Sequence, residues 1–387
     1  MIPVKYNIRS LRTRWVSSLM TILGTALVVW AVVLTFGLAD GLDHTLAVSG
    51  EPLDLIIMRK GATAETNSIV NEAAAREMAA LPGIASDAVG EMLCSPELVV
   101  VVNTPRRGDT GSGNMILRGV TPAAQQVRTG FQIVEGRENR PGLREAITSK
   151  QMARRFEGAG LNEELDVFGN NFTIVGLFEA GHSATESEVW TDLEVLAQTT
   201  RRVGIRSSIQ IRANSADDAQ SLSDRIASDE QFGLAALSEP EYYAEQAKSS
   251  RAIKVVGVFI AVVLSVGAVF AVANTMYGAV ASRAREIGTL RALGFGRRTI
   301  LVSFMLESLA LCLAGGALGC LAALPLNGMS TGTANWVTFS ELAFTFRFGP
   351  WVQVLALLLV AVVGTMGGLF PALRATRMKI VDALREI

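Results

Sequence analysis

Two histidines and three cysteines are all that 387 residues offer to soft metals or to thiol and imidazole chemistry. His44 and His182 have no cysteine or second histidine at ligand spacing, which excludes the zinc patterns that a sequence can display. Cys312 and Cys320 fall inside an apolar run and only Cys94 lies in a water-exposed stretch, so no disulfide framework can staple one domain. Cys94 itself sits in an apolar, strand-like context and reads as a small buried residue rather than a nucleophile. No G-x-x-x-x-G-K-[ST] phosphate loop occurs, so these residues have no P-loop route to ATP hydrolysis. Combinations of Ser, His and Asp can be drawn from any chain this long, and the chain reads as non-enzymatic by itself. A basic stripe is also missing from the water-exposed part, which excludes nucleic acid as a partner.

What is abundant is apolar sequence. Half of the residues are hydrophobic and the mean hydropathy is +0.35, yet 18% are charged, a mixture expected of a chain that is part membrane and part water-exposed. Four charge-poor runs have the length of a membrane helix: residues 16–38, 253–276, 300–324 and 351–371, the third closed by Pro325 and the fourth by Pro371. The first is too long for the core of a cleaved signal peptide and reads as an uncleaved anchor. Charge separates around these runs. Residues 41–250 hold 30 acidic and 19 basic residues, whereas Lys5, Arg9, Arg12 and Arg14, the arginines of the 277–299 linker, and Arg374, Arg377, Lys379 and Arg385 lie elsewhere. The positive-inside rule then places both termini and the linker in the cytoplasm, and residues 41–250 outside the plasma membrane.

Residues 1–15 read as a basic interfacial helix with Tyr6, Ile8, Leu11 and Trp15 among its cations. Residues 41–250 read as an α/β domain. Strands are expected at Leu53 to Met58, Leu98 to Val102, Met115 to Val120, Phe172 to Phe178 and Ser208 to Arg212. Helices are expected at Ile69 to Leu81, after a Thr191/Glu194 capping box, and after Ser215 with Asp218. Arg106 to Gly113 reads as a flexible loop, and Glu241 to Arg251 as a helical stalk leading to the second span. Residues 326–349, with one cation and five aromatics at Trp336, Phe339, Phe344, Phe346 and Phe348, read as a short outer loop anchored at the membrane interface. Residues 372–387 form a cytoplasmic tail.

The linker is the most informative stretch. From Ala281 to Leu293 it reads as a short surface helix with Glu286, Leu290 and Leu293 on one face. Within the spans, Gly315 with Gly319 and Gly364 with Gly368 are small-xxx-small pairs, suited either to a dimer contact or to packing within one protomer. Glu307 places a costly carboxylate about two turns into the third span.

Here the sequence resembles the FtsX-like, MacB-type permeases of ABC transporters, a family that includes macrolide exporters and the lipoprotein-releasing LolC and LolE. The resemblance is carried by Arg285-Glu286-Ile287-Gly288, Arg291-Ala292-Leu293-Gly294, Leu306-Glu307-Ser308 and Gly315-Gly316. Phe131 to Arg137, with its "EGR" element, and Thr173 to Phe178 resemble the family's periplasmic region. The ending Pro371 to Ala375 and Val381 to Arg385 also matches, except that Ile380 stands where relatives often have proline. The resemblance implies four transmembrane helices, one and then three, with a large extracytoplasmic α/β domain inserted after the first. It implies that residues 277–299 are a coupling helix. There Arg285, Glu286, Thr289, Leu290, Arg291, Leu293 and Gly294 would meet a separate ABC ATPase subunit that binds ATP and Mg. It further implies a second permease copy, homo- or heterodimeric, and as candidate partners a periplasmic adaptor and an outer-membrane channel. For Glu307 it implies a structural pair with linker arginines. The implied activity is mechanotransmission, driving export or extraction of a substrate at the inner membrane. Alternatives within the resemblance are lipoprotein or lipid release like LolC and LolE, and regulation of cell-wall hydrolases like FtsX.

Overall fold

A computed structural model describes residues 15–335 and 337–378, with the side chains of 248–253 excepted. The expected interfacial helix before Trp15, Trp336 and the tail motif beyond Met378 lie outside the described residues. The chain divides into two compact units, one drawn from 1–40, 252–328 and 346–387, the other from 41–251 and 329–345.

The first unit is helical. Its elements are α1 (Trp15–Val48), α2 (Lys248–Ser282), α3 (Ala284–Ala292), α4 (Arg297–Ala323) and α5 (Pro350–Arg377). All but α3 are long and apolar enough to cross a membrane. Val29, Val33, Val272, Met276, Phe304, Val352, Ala356 and Val360 form its shared core. At 1.5 Å per residue, the 34-residue α1 and 35-residue α2 are about 50 Å long, against about 30 Å of hydrocarbon. Both helices therefore run beyond the expected spans of 16–38 and 253–276. Hydropathy marks only the part of a helix that meets lipid, and Asp40 and Asp43 ride on the remainder of α1.

Pro371 does not close the fourth span, because α5 continues six residues further to Arg377. Proline removes one backbone hydrogen bond and crowds the carbonyl four residues back, here that of Gly367, and neighbouring helices make this tolerable inside a membrane bundle. Pro325 does act as a terminator, in the single 3-10 turn Leu324–Leu326 that follows α4.

The second unit is built on a ten-stranded sheet. Its strands are β1 (Asp54–Arg59), β3 (Cys94–Pro105), β4 (Ser112–Val120), β5 (Gln132–Gly136), β6 (Glu145–Ser149), β7 (Glu164–Val167), β8 (Asn170–Glu179), β9 (Glu188–Asp192), β11 (Ser208–Arg212) and β12 (Leu234–Ser238). The short pair β2 (Val70–Asn71) and β10 (Ile205–Arg206) stands apart. The order is β12-β1-β11-β3-β4-β9-β6-β8-β5, with β7 also on β8. Only the β4/β9 and β6/β8 pairings are parallel. Alternation along β3 turns Leu98, Val100 and Val102 toward one core with Met115, Leu117, Phe156, Phe172 and Leu196. Leu55, Ile57, Ile209 and Ile211 form another with Met78, Leu222 and Ile226.

Local signals act mostly where expected. The Ser215 side chain caps helix Ala216–Ser228 by accepting from Asp218 N. The helix expected over 69–81 is shorter, Glu72–Ala79, because Asn71 caps it by accepting from Ala74 N while Val70 and Asn71 pair with β10. At Leu193–Thr199 the cap is Asp192, accepting from Val195 N. Thr191 belongs instead to β9, where its hydroxyl donates to the Glu145 carbonyl.

The loop between the third and fourth spans differs most from expectation. Residues 329–345 form a β-hairpin, β13 (Ser330–Asn335) and β14 (Ser340–Thr345), that belongs to the α/β unit. Leu342, Ala343 and Phe344 are buried in that unit, while Phe339 between the two strands is exposed. Within Arg106 to Gly113, residues 106–111 connect β3 to β4, with Arg106 N donating to Gly111 O, and Ser112 and Gly113 already belong to β4. Arg106 and the hairpin's Glu341 bind each other, over a sequence separation that local pattern cannot reveal.

Candidate functional site at the basic linker helix

Backbone chemistry sets the limits of α3. Arg283 leaves helical geometry at φ −116°, ψ 13°, separating α2 from α3. At the other end Phe295 N donates to Leu290 O and Gly294 N to Arg291 O, the paired bonds of a Schellman cap. Gly294 sits at φ +95°, a left-handed conformation that costs a side-chain-bearing residue about 1–2 kcal/mol. The glycine of the Arg-Ala-Leu-Gly motif is thus a backbone requirement. The helix spans 284–292 rather than 281–293, and residues 277–282 belong to α2.

One side of α3 is committed to the bundle, with Ala284, Ile287 and Gly288 buried. Arg285, Glu286 and Thr289 are exposed, Leu290 is half-buried, and Leu293 is 72% exposed at the end of the helix.

Two arginines fix the helix from within. Arg283 Nη1 and Nη2 donate to the two Glu307 carboxylate oxygens of α4 at 3.0 and 3.2 Å. Both residues are buried, and the guanidinium also lies 5.9 Å from the centre of the Phe304 ring. A planar fork on a carboxylate is geometrically demanding, so it fixes position as well as charge. Arg291 Nη1 donates to the carbonyls of Thr376 at 3.3 Å and Met378 at 2.5 Å, at the C-terminal end of α5, where a cation complements the helix dipole. Arg291, expected on the partner-facing surface, is therefore committed within the chain.

The glycine pairs pack within the protomer. A Cβ at Gly319 would stand 2.5 Å from Ala26 O and 2.8 Å from Val29 Cβ of α1, and one at Gly315 would strike Thr25 and Ile22. Gly364 and Gly368 lie against α4 in the same way, at Cys312 and at Ser308, whose hydroxyl donates to Gly364 O at 2.9 Å. Of the two uses open to such pairs, these four glycines serve packing between helices of one chain.

The α/β unit holds a buried charge cluster that the sequence does not reveal. Arg118 donates to Glu65, Glu97 and Glu188, while Arg128 donates to Glu97 and stacks 4.8 Å from the Trp190 ring centre. Burial opposes ionisation of Glu65, but Arg118 and the Ser208 hydroxyl more than compensate and bring its carboxyl down to about 2. Nearby, burial together with the charge of Asp54 pushes Glu239 up to about 8. Glu65, Glu97, Arg118, Arg128 and Glu188 come from five separate segments with no shared spacing. Among the described residues no group of His, Cys, Asp and Glu could hold a metal ion.

Residues 18–229 match the family model of the MacB-like periplasmic core domain, and residues 258–380 that of the FtsX-like permease C-terminal region. The chain belongs to the MacB-type, FtsX-like permease family. Most of the α/β unit and all of the linker lie within the matched residues, which leave out 230–257. This permease is 34% identical over 134 residues to the macrolide export ATP-binding/permease protein MacB of Rhodopirellula baltica, covering 34% of this chain and 18% of that protein. It is 29% identical over 248 residues to the uncharacterized ABC transporter permease YvrN of Bacillus subtilis, covering 59% of this chain and 58% of YvrN. The permease thus spans less than a fifth of that MacB relative and somewhat over half of YvrN. Among solved structures, the periplasmic region of MacB from Actinobacillus actinomycetemcomitans aligns over 50% of this chain and 92% of its own at 12% identity, with a TM-score of 0.37.

Proposed function

We propose that this chain is the membrane subunit of an ABC transporter and receives ATP-driven movement at α3 from a separate nucleotide-binding subunit that holds ATP and Mg. The α/β unit, on the far side of the inner membrane, is what the movement drives, and both termini lie in the cytoplasm. Two permease copies would work with two ATPase chains to push or extract substrate outside the membrane. The observation that carries the reading is the division of α3 into two faces. Ala284, Ile287 and Gly288 are sunk in the bundle, Arg283 and Arg291 bind α4 and the end of α5, and Arg285, Glu286, Thr289 and Leu293 are presented outward. A helix held firmly on one side and open on the other suits a contact that must transmit force. The name ATP-binding/permease carried by relatives supports the link to ATP binding.

The test is the double variant Glu286→Arg/Leu290→Asp, copurified with the cognate ATPase. Changing a charged anchor and an apolar one at a docking surface costs about 2–5 kcal/mol, more than tenfold in affinity. We expect normal insertion with loss of ATPase copurification or of its stimulation. Wild-type copurification and stimulation would show that α3 is only a topological anchor.

A further inference from the structure

The β13–β14 hairpin has no part in the reading above, yet its seat in the α/β unit is built in detail. Glu341 is almost fully buried and binds two arginines from different segments, Arg106 at 2.8 Å and Arg155. Asn335 Nδ2 donates to Gln246 Oε1 at 2.9 Å, and Ala343 N donates to Ser187 Oγ at 2.8 Å. Asn114 Nδ2 donates to the Phe339 carbonyl at 2.9 Å. Three glycines clear space for it. A Cβ at Gly113 would stand 2.6 Å from Glu341 Oε2, one at Gly332 would strike the Arg155 guanidinium, and one at Gly41 would strike the Thr345 carbonyl. Leu342, Ala343 and Phe344 supply the apolar part of the contact.

In sequence the hairpin hangs between the turn that ends α4 and the residues that lead into α5. We propose that it is a second mechanical tie, latched by Glu341, through which displacement of α4 and α5 reaches the α/β unit independently of α1 and α2. The inference rests on the coupling reading and adds a path to it. A loop that merely closed two helices would not need a buried carboxylate seated against two arginines. A tie that carries load needs contacts that hold while its ends are pulled, and charge-assisted bonds with fixed geometry provide them. Arg106 and Arg155 position the latch, and Glu341 is the element that closes it.

The experiment uses the full chain with its cognate ATPase in lipid nanodiscs and reads ATP turnover together with hydrogen exchange. Four proteins are compared: wild type, Glu341→Gln, Asn335→Cys/Gln246→Cys, and the triple variant. In the wild type, amides of 330–345 should stay protected during turnover while ATP alters exchange elsewhere in the α/β unit. Glu341→Gln should raise hairpin exchange about tenfold or more and abolish the ATP-driven change in the α/β unit, leaving ATP turnover intact. The 246–335 disulfide should restore the change in the triple variant, and reduction should remove it again. If Glu341→Gln loosens the hairpin but keeps the ATP-driven change, or if the disulfide fails to restore it, the tie is overturned while coupling through α3 stands. If the wild type shows no ATP-driven change at all, both readings fall.

Discussion

Removing Glu307 from α4 should cost far more than removing a surface carboxylate, and the structure says how much of that cost is recoverable. The carboxylate lies ten residues into α4, about 15 Å along its axis, and both it and Arg283 are buried. Glu307→Ala leaves a buried guanidinium without its fork partner. Breaking a buried pair from one side costs about 3–5 kcal/mol, while replacing both partners by apolar residues of similar volume is about neutral or even stabilising. Arg283→Met alone should therefore cost about as much as Glu307→Leu alone, and Arg283→Met/Glu307→Leu much less than their sum. Unfolding of the purified full chain in mixed micelles, read as a double-mutant cycle, should give a coupling energy above about 2 kcal/mol. The double variant separates two roles, because stability returns while the fork that orients α3 does not. It should fold normally and still stimulate the ATPase poorly. Additive single-variant losses would refute the buried pair, and full stimulation by the double variant would refute its positioning role.

Glu239 gives a pH dependence of defined sign. A folded-state carboxyl raised from an ordinary 4.5 to about 8 contributes stability that is complete below 4.5 and is lost as pH rises through 8. The melting temperature of the wild type should fall relative to Glu239→Gln between pH 5 and 8.5, and a gap that does not vary with pH would contradict the assignment. Gly319→Val should overpack the α1/α4 contact and destabilise by about 1–3 kcal/mol. Gly267→Ala, where a Cβ meets nothing within 4 Å, should be neutral or slightly stabilising, and equal effects at the two sites would argue against the packing account. A Gly111→Cys variant on a cysteine-free background should react with an impermeant reagent applied from outside the inner membrane. Reaction only after that membrane is permeabilised would reverse the topology.

The parts of the fold that were legible in the sequence depend on composition within one stretch. Four apolar runs declare the spanning helices, and β-branched runs such as Leu98 to Val102 declare strands of a buried sheet. The linker is legible because its arginines, its helical spacing and Gly294 all lie within twenty residues. What composition could not supply is where a spanning helix stops. Asp40 and Asp43 are polar but helical, and Pro371 is crossed because the bundle around it tolerates the break. The hairpin was hidden for a different reason. Ser340 to Thr345 shows no alternation, the aromatics nearby suggested an interfacial loop, and the partners of Glu341 are Arg106 and Arg155. Arg291 shows the same limit on a smaller scale, since its carbonyl partners belong to the end of α5.

Both units pair an apolar core with buried ionic contacts, and the division of labour follows from what each force specifies. Apolar burial is roughly proportional to area and nearly indifferent to direction, so helices faced with valine, alanine and glycine can slide or rotate at modest cost. A guanidinium fork tolerates little displacement before a buried charge loses its partner. In the helical unit the fork sits between the start of α3 and the body of α4, where a shift in register would turn the outward face away from any partner. In the α/β unit Arg118 gathers Glu65, Glu97 and Glu188, and Glu341 gathers Arg106 and Arg155, so that segments far apart in sequence are held to one arrangement. Such pairs add little net stability, and their placement at the linker and at the hairpin fits the proposed transmission of displacement. Force passes only through contacts that do not slip.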